Sequence, residues 1–185
     1  MRVTYREKDL VLLCKIMRSE AQGEGVFGMK LVGNVVVNRV VAKCSPFKKL
    51  KTLEDVIMQP NAFEGTQTPL FISAPTTQER RIALQCIKFW RAYPAYSALY
   101  FQAPEKGNPC KENFWGTLAG RFKNHCFYNL LFFLKLYDFL QVYLIPLFLK
   151  LKLLSLVCLK VLYLHYLVLH FLLILIYLVL QKILY

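Results

Sequence analysis

Across the last 56 residues of this chain, 130–185, there is no glycine and one proline, Pro146. The same stretch holds 23 leucines, five lysines and a single acid, Asp138. A chain that packs on itself needs residues that tolerate tight turns, so this stretch does not encode a globular fold of its own. The soluble fold has to come from residues 1–129, which carry an ordinary mixture of Gly, Pro and polar residues and enough length for one modest core. The expected division is a domain over 1–129 and an apolar tail over 130–185.

The tail has two readings. Residues 161–180 carry no formal charge, only His165 and His170, and are long enough as a helix to span a bilayer. Residues 130–149 suit a membrane less well, since Lys135 and Asp138 would each cost roughly 2.5–3.5 kcal/mol near its centre. Alternatively, the low-complexity Leu/Phe/Tyr/Lys/Ile mixture is what a frameshift into an AT-rich reading frame produces.

Residues 1–129 hold 19 Lys and Arg against 10 Asp and Glu. That excess favours polyanions: nucleic acid, an anionic membrane surface, or an acidic wall polymer. No basic run is longer than Lys48-Lys49 and no helix carries an arginine stripe, so nucleic acid is not an expected partner. The first nine residues are charged and the apolar run at 10–13 is too short for a secretory core, so no signal peptide is expected. The six cysteines form no CxxC pair and no zinc spacing, and no metal or other cofactor is expected. Cys14, Cys86 and Cys126 sit among apolar neighbours and read as buried free thiols, which suits a reducing compartment.

Periodicity places the elements. Leu10, Leu13, Cys14 and Met17 recur at helical spacing, with Glu7 and Asp9 in the first turn, so a helix should run to about Ala21. Residues 27–43 are rich in valine, which argues for a strand. The spacing Met29, Val32, Val36, Val40 and the length argue for a helix, and helix is the expectation, with Asn34 and Asn38 on one face. Thr52 opens a short helix that Pro60 stops. Residues 61–75 read as an irregular surface loop. Thr76 and Glu79 form a capping box for a helix burying Ile82, Cys86, Phe89 and Tyr93, ended by Pro94. Strand-like segments follow at 98–101, 114–115 and 125–128. The expected fold is α+β, a mainly helical lobe followed by a small β-rich region.

Glu20 falls three residues after Met17 and four after Ile16, so it continues the buried stripe of the first helix. A carboxylate there is costly unless paired or used, because burial disfavours its charged form. Gly23 and Gly25 then turn the backbone tightly beside it. Glu20 is therefore either a solvated helix end or an acid with a raised pKa at the mouth of a cleft.

Five motifs in order resolve that choice. They are Glu20-Ala21-Gln22-Gly23-Glu24, Val37-Asn38-Arg39-Val40, Val56-Ile57-Met58-Gln59 before Phe63, Ala98-Leu99-Tyr100-Phe101, and Asn124-His125-Cys126-Phe127-Tyr128. Together they resemble the SleB/CwlJ cell wall hydrolase family of spore cortex-lytic enzymes, over about residues 9–128. With no signal peptide and no separate wall-binding domain, the chain looks more like the CwlJ branch. The residues before Phe63 depart from the family pattern, which often has a Gln beside the Phe.

The resemblance implies a lysozyme-like catalytic domain acting on peptidoglycan glycan strands in the spore cortex or cell envelope, with Glu20 as the catalytic acid. Two-carboxylate glycoside hydrolysis needs a second acid about 5–5.5 Å or about 6.5–9.5 Å away, and Glu24 is the nearby candidate. A lytic transglycosylase needs one carboxyl alone, used first as acid and then as base, which fits an isolated Glu20. Glu24 would then be structural or bind sugar. Phe63, Tyr100, Phe101 and Trp115 are candidate sugar platforms, though a Leu-Tyr-Phe strand also suits a core. Asn38 and Gln59 are candidates for bonding N-acetyl groups, and equally for capping backbone. Arg39 is a candidate partner of Glu24 or Glu20, and His125 a further contact or a structural residue. A spore-coat protein is an expected partner on the same resemblance, and a membrane-attached, catalytically inactive wall- or coat-binding protein is the alternative function.

Overall fold

The computed structural model describes residues 1–112, 114–130 and Val168. Five α-helices and a three-stranded sheet make up the described part: α1 (Glu7–Ala21), α2 (Gly25–Val41), α3 (Leu53–Ile57), α4 (Pro69–Ile72), α5 (Thr77–Lys88), β1 (Tyr100–Gln102), β2 (Thr117–Phe122) and β3 (His125–Asn129). A mainly helical lobe followed by a small sheet is the α+β arrangement expected.

Helix α2 lies at the centre. Its Leu31, Val32, Val35, Val36 and Val37 are all fully buried, which is why its sequence is apolar nearly all round. One side joins Leu13, Cys14, Ile16 and Met17 of α1, Val56 and Ile57 of α3, and Ile82 and Cys86 of α5 in the main core. The other side, through Leu31 and Val35, packs with Ala95, Ala98 and Phe127 beneath the sheet. Burial on two sides outweighs the β-propensity of its valines.

Capping chemistry sets the starts of the outer helices. Asp9 takes the Arg6 backbone N–H at 2.8 Å and its Nε at 2.9 Å, while Thr52 with Asp55 and Thr76 with Glu79 form reciprocal capping boxes. Helix α5 ends sooner than expected. The Gln85 carbonyl accepts both the Phe89 N–H and the Trp90 N–H at 2.9 and 2.8 Å, closing the helix at Lys88. Phe89 and Tyr93 therefore lie outside, 68 % and 71 % exposed, and Pro94 is not the stop. Residues 61–75 also differ from expectation, folding into a 3₁₀ turn over Glu64–Gln67 and the single turn of α4.

Asn34 and Asn38 do share a face, and both are buried. Asn34 donates to the Ala95 carbonyl at 2.8 Å, and Asn38 donates to those of Ala95 and Ala98 at 3.1 and 2.8 Å. The Arg2 guanidinium binds the side-chain oxygens of both asparagines and the Trp90 carbonyl, fastening the chain start across α2 and the end of α5.

The sheet is antiparallel in the order β1-β3-β2, pairing Phe101 with Phe127 and Gln102 with Cys126. Phe114 and Trp115 precede β2 in bends rather than forming a strand. Cys126 is joined to Cys110 in a disulfide, so the free-thiol reading fails for this residue. Cys14 and Cys86 are buried free thiols, each pushed up to about 12 by burial. Among the described residues no helix is long and apolar enough to cross a membrane. The candidate span at 161–180 lies outside the described residues, apart from Val168.

Candidate active site

The corner between α1 and α2 sends two carboxylates in different directions. The Gln22 N–H closes α1 on the Arg18 carbonyl, a 3₁₀ turn covers Gln22–Glu24, and Gly25 at φ 78° redirects the chain into α2. Glu20, in the last turn of α1, faces the 3₁₀ turn at Glu64–Gln67. Its Oε1 accepts the Gly65 backbone N–H at 2.6 Å.

Glu24 is buried against the β2–β3 turn. Its Oε1 accepts from Asn124 Nδ2 at 2.9 Å, its Oε2 from the Asn124 N–H at 3.3 Å, and its backbone carbonyl from Lys123 Nζ at 2.8 Å. His125 Nδ1 lies 3.8 Å from Glu24 Oε1, beyond hydrogen-bond reach. Gly28 makes room for this arrangement, since a Cβ there would fall 2.2 Å from the Glu24 Cβ.

The half-buried Glu20 carboxyl is pushed above its ordinary value, chiefly by burial, with the charge of Glu64 adding to the effect. The Gly65 hydrogen bond and Arg39 pull the other way. Arg39 is buried, and its guanidinium falls to about 10 for that reason. Its Nε donates to the Leu99 carbonyl at 2.7 Å. The guanidinium carbon lies over the rings of Phe63, Phe47 and Tyr100 at 4.7, 5.2 and 5.6 Å. Arg39 forms no ion pair with either glutamate and acts on Glu20 through the field alone.

Around these groups runs a line of rings. Phe63 sits 6.1 Å from Phe101, and Phe101 meets His125 edge-on at 5.4 Å. Burial holds the His125 imidazole below its ordinary pKa, against the opposite pull of Glu24. Farther along, Trp115 lies 6.0 Å from half-buried Tyr100 and is 48 % exposed, which leaves its ring open to a ligand. The fold thus gathers Glu20, Arg39, Phe63, Phe101, His125 and Glu24 on adjoining elements, with Tyr100 and Trp115 beyond them. Asn38 stands apart, its amide fully engaged by backbone and Arg2. Gln59 lies in the turn after α3, where its carbonyl accepts the Ala62 N–H at 3.1 Å.

Of the two residues in direct contact with the carboxylates, Asn124 opens the last of the five motifs, whereas Gly65 belongs to none. Gly65 sits 45 residues from its partner, and its sole hint is a glycine two places after Phe63 in a loop of turn formers. Among the described residues no group of three or more His, Cys, Asp and Glu side chains converges to hold a metal.

The sequence pattern of the cell wall hydrolases matches residues 23–128, more than half of the chain. The chain belongs to the cell wall hydrolase family. The matched stretch includes Glu24, the aromatic line and His125, and begins three residues after Glu20. Among curated relatives, the cell wall hydrolase CwlJ of Halalkalibacterium halodurans is 41% identical over 124 residues, covering 66% of this chain and 85% of that protein. CwlJ of Bacillus subtilis is 40% identical over 123 residues, covering 65% and 84%. Among solved structures, the catalytic domain of Bacillus cereus SleB superposes with a TM-score of 0.56 at 23% identity, covering 70% of this chain and 97% of that domain. The catalytic domain of the germination-specific lytic transglycosylase SleB from Bacillus anthracis gives a TM-score of 0.55 at 23% identity, covering 68% and 97%. The fold of this family member is therefore that of the SleB catalytic domain.

Proposed function

We propose that the domain within residues 1–129 cleaves the glycan strands of peptidoglycan, in spore cortex or cell wall, as a lytic transglycosylase with Glu20 as its acid and base. Family membership and the CwlJ relatives support the substrate class. The observation that favours the one-carboxyl route is the contrast between the two glutamates. Glu20 is half-buried with a raised pKa, whereas both oxygens of Glu24 are engaged by Asn124. A two-carboxylate hydrolysis would need Glu24 free to attack or to activate water.

In the proposed cycle, protonated Glu20 gives its proton to the glycosidic oxygen as the bond from that oxygen to the muramoyl anomeric carbon breaks. The leaving sugar departs with a hydroxyl. The resulting carboxylate takes the proton of the muramoyl 6-hydroxyl as its oxygen bonds to the anomeric carbon, giving a 1,6-anhydro end and restoring the acid. The burial that raises the Glu20 pKa keeps the proton available for the first step. Exposed Trp115 and half-buried Phe101 supply apolar faces for sugar rings; Phe63, expected as a third platform, is buried in the main core beneath Arg39 and has no free face to offer. Arg39 holds the field at the carboxyl.

Muropeptides released from a wall or cortex preparation by the full chain should carry anhydro ends by mass spectrometry, and Glu20→Gln should release none. Reducing ends without anhydro sugar would replace the transglycosylase route by hydrolysis. An intact wild type with no turnover would favour the inactive binding protein. The tail is proposed as a membrane attachment through residues 161–180, which fractionation of the full chain against a version ending at residue 129 would test.

A further inference from the structure

Gly65 does not need to be a glycine for its own backbone. Glycines with positive φ in this chain are Gly25, Gly107 and Gly120, and Gly65 is not one of them. It needs to be a glycine because of what lies against it. A Cβ at this position would fall 2.7 Å from Glu20 Oε1, 2.8 Å from the Ser19 Cβ and 3.1 Å from Glu20 Cδ. The missing side chain lets the amide approach to 2.6 Å from the carboxyl.

That amide is held in place. Thr66 Oγ1 donates to the Phe63 carbonyl and Thr68 Oγ1 to the Gly65 carbonyl, each at 2.8 Å. Just downstream, Arg18 of α1 grips the Leu70 carbonyl at 2.6 Å and the Ser73 carbonyl at 2.7 Å. The turn carrying the Gly65 N–H is thus braced internally by its two threonines and tied on its downstream side to the helix carrying Glu20.

A backbone N–H can only donate. In a protonated carboxyl the better acceptor is the carbonyl oxygen, so an N–H fixed on Oε1 favours the proton on Oε2. We propose that Gly65 is a positioning residue that reserves Oε2 for chemistry, so that both proton transfers of the cycle pass through this one oxygen. The proposal rests on the reading of Glu20 as the acid. In the first transfer the proton leaves Oε2 for the glycosidic oxygen. In the second the 6-hydroxyl proton returns to Oε2, and at no point does the Oε1 hydrogen bond have to break. The site therefore needs no rotation of the carboxyl between its acid and base roles.

The test uses the full chain in mild detergent, labelled with ¹⁵N-glycine; the chain has eight glycines, and the Gly65 signal is assigned by its loss in Gly65→Ala. The Gly65 amide proton should shift along a single titration curve centred above the ~4.3 of an ordinary glutamate. The shift should vanish in Glu20→Gln. A Gly65 amide that stays flat from pH 3 to pH 9 overturns the proposal without touching the function reading. In kinetics, Gly65→Ala should lower kcat on the order of 10²-fold, the cost of misplacing a reacting group by about 1 Å, with KM within about twofold. Wild-type kcat in Gly65→Ala also overturns it. If the amide titrates but Glu20→Gln keeps full activity, the acid assignment has failed, and the proton path falls with it while the hydrogen bond stands.

Discussion

Arg18→Met would cut the fastening between α1 and the loop that ends at α5. The Arg18 guanidinium pairs with Glu79 at 3.2 Å, both side chains being less than a tenth exposed, and it also donates to the Leu70, Ser73 and Ala74 carbonyls. Removing one member of a buried pair costs about 3–5 kcal/mol, because the other charge is left buried and uncompensated. The abandoned carbonyls add less, since Leu70 is 39 % exposed and water can reach it. For a domain of this size each kcal/mol moves Tm by roughly 3–5 °C, so a drop of about 10–20 °C is expected. Thermal melts of wild type, Arg18→Met, Glu79→Gln and the double variant measure it. Glu79→Gln keeps an acceptor for the Thr76 N–H that Glu79 caps at 2.7 Å, and should lose less. The double variant should recover about 1–3 kcal/mol against the sum of the singles. A loss below about 1 kcal/mol in Arg18→Met, or strict additivity, would refute the account. Because Arg18 stands two residues before Glu20, kcat should also fall at temperatures where the variant is still folded.

Glu20→Gln should be at least as stable as wild type at pH 7. Burial raises the folded pKa, so as pH rises from ~4.3 the unfolded carboxyl ionises first and wild type loses stability until the folded value is passed; the two melts should converge near pH 4, and a clearly weaker Gln variant at pH 7 would mean an ionised, paired carboxylate. Reducing Cys110–Cys126, which spans 16 residues, should cost about 3 kcal/mol, and an unchanged melt in dithiothreitol would count against the bond. Trp115→Ala should raise KM for wall fragments several-fold at constant kcat, and a loss confined to kcat would remove Trp115 from the binding surface.

The parts of this fold written in local patterns were legible. The i, i+3, i+4 spacing of Leu10 to Met17, the two threonine capping boxes and the common face of Asn34 and Asn38 depend on neighbours within one or two helical turns. They placed α1, α2 and α5, and they put Glu20 at the end of a buried stripe. What stayed hidden depends on long-range contact. The Cys110–Cys126 bond has a spacing that no motif announces. The value of Gly65 comes from a carboxyl far away along the chain, and the Arg18–Glu79 pair joins a residue that looks like an ordinary surface charge to one legible only as a helix cap. The early end of α5 was misread because Phe89 and Tyr93 continue the helical spacing after the backbone has already turned at Phe89. Asn38 was legible as polar on an apolar helix, but whether a buried amide serves a sugar or a carbonyl is set by residues 95–98, which no helical pattern brings near.

The seam formed by Arg2, Asn34 and Asn38 also gives the protein a schedule. During synthesis Arg2 emerges first, yet it bonds Trp90, and Asn38 waits for the carbonyls of Ala95 and Ala98. At about 5–20 residues per second, roughly 5–20 s separate the two ends of this seam. From the completion of α2 until residue 98 is made, the newborn α1–α2 pair has polar groups on a face destined for burial, and water must serve them. The helical lobe is therefore wet until the segment before β1 arrives to seal it. A pause in translation near codon 98 would prolong the state in which this domain is open to proteases and chaperones.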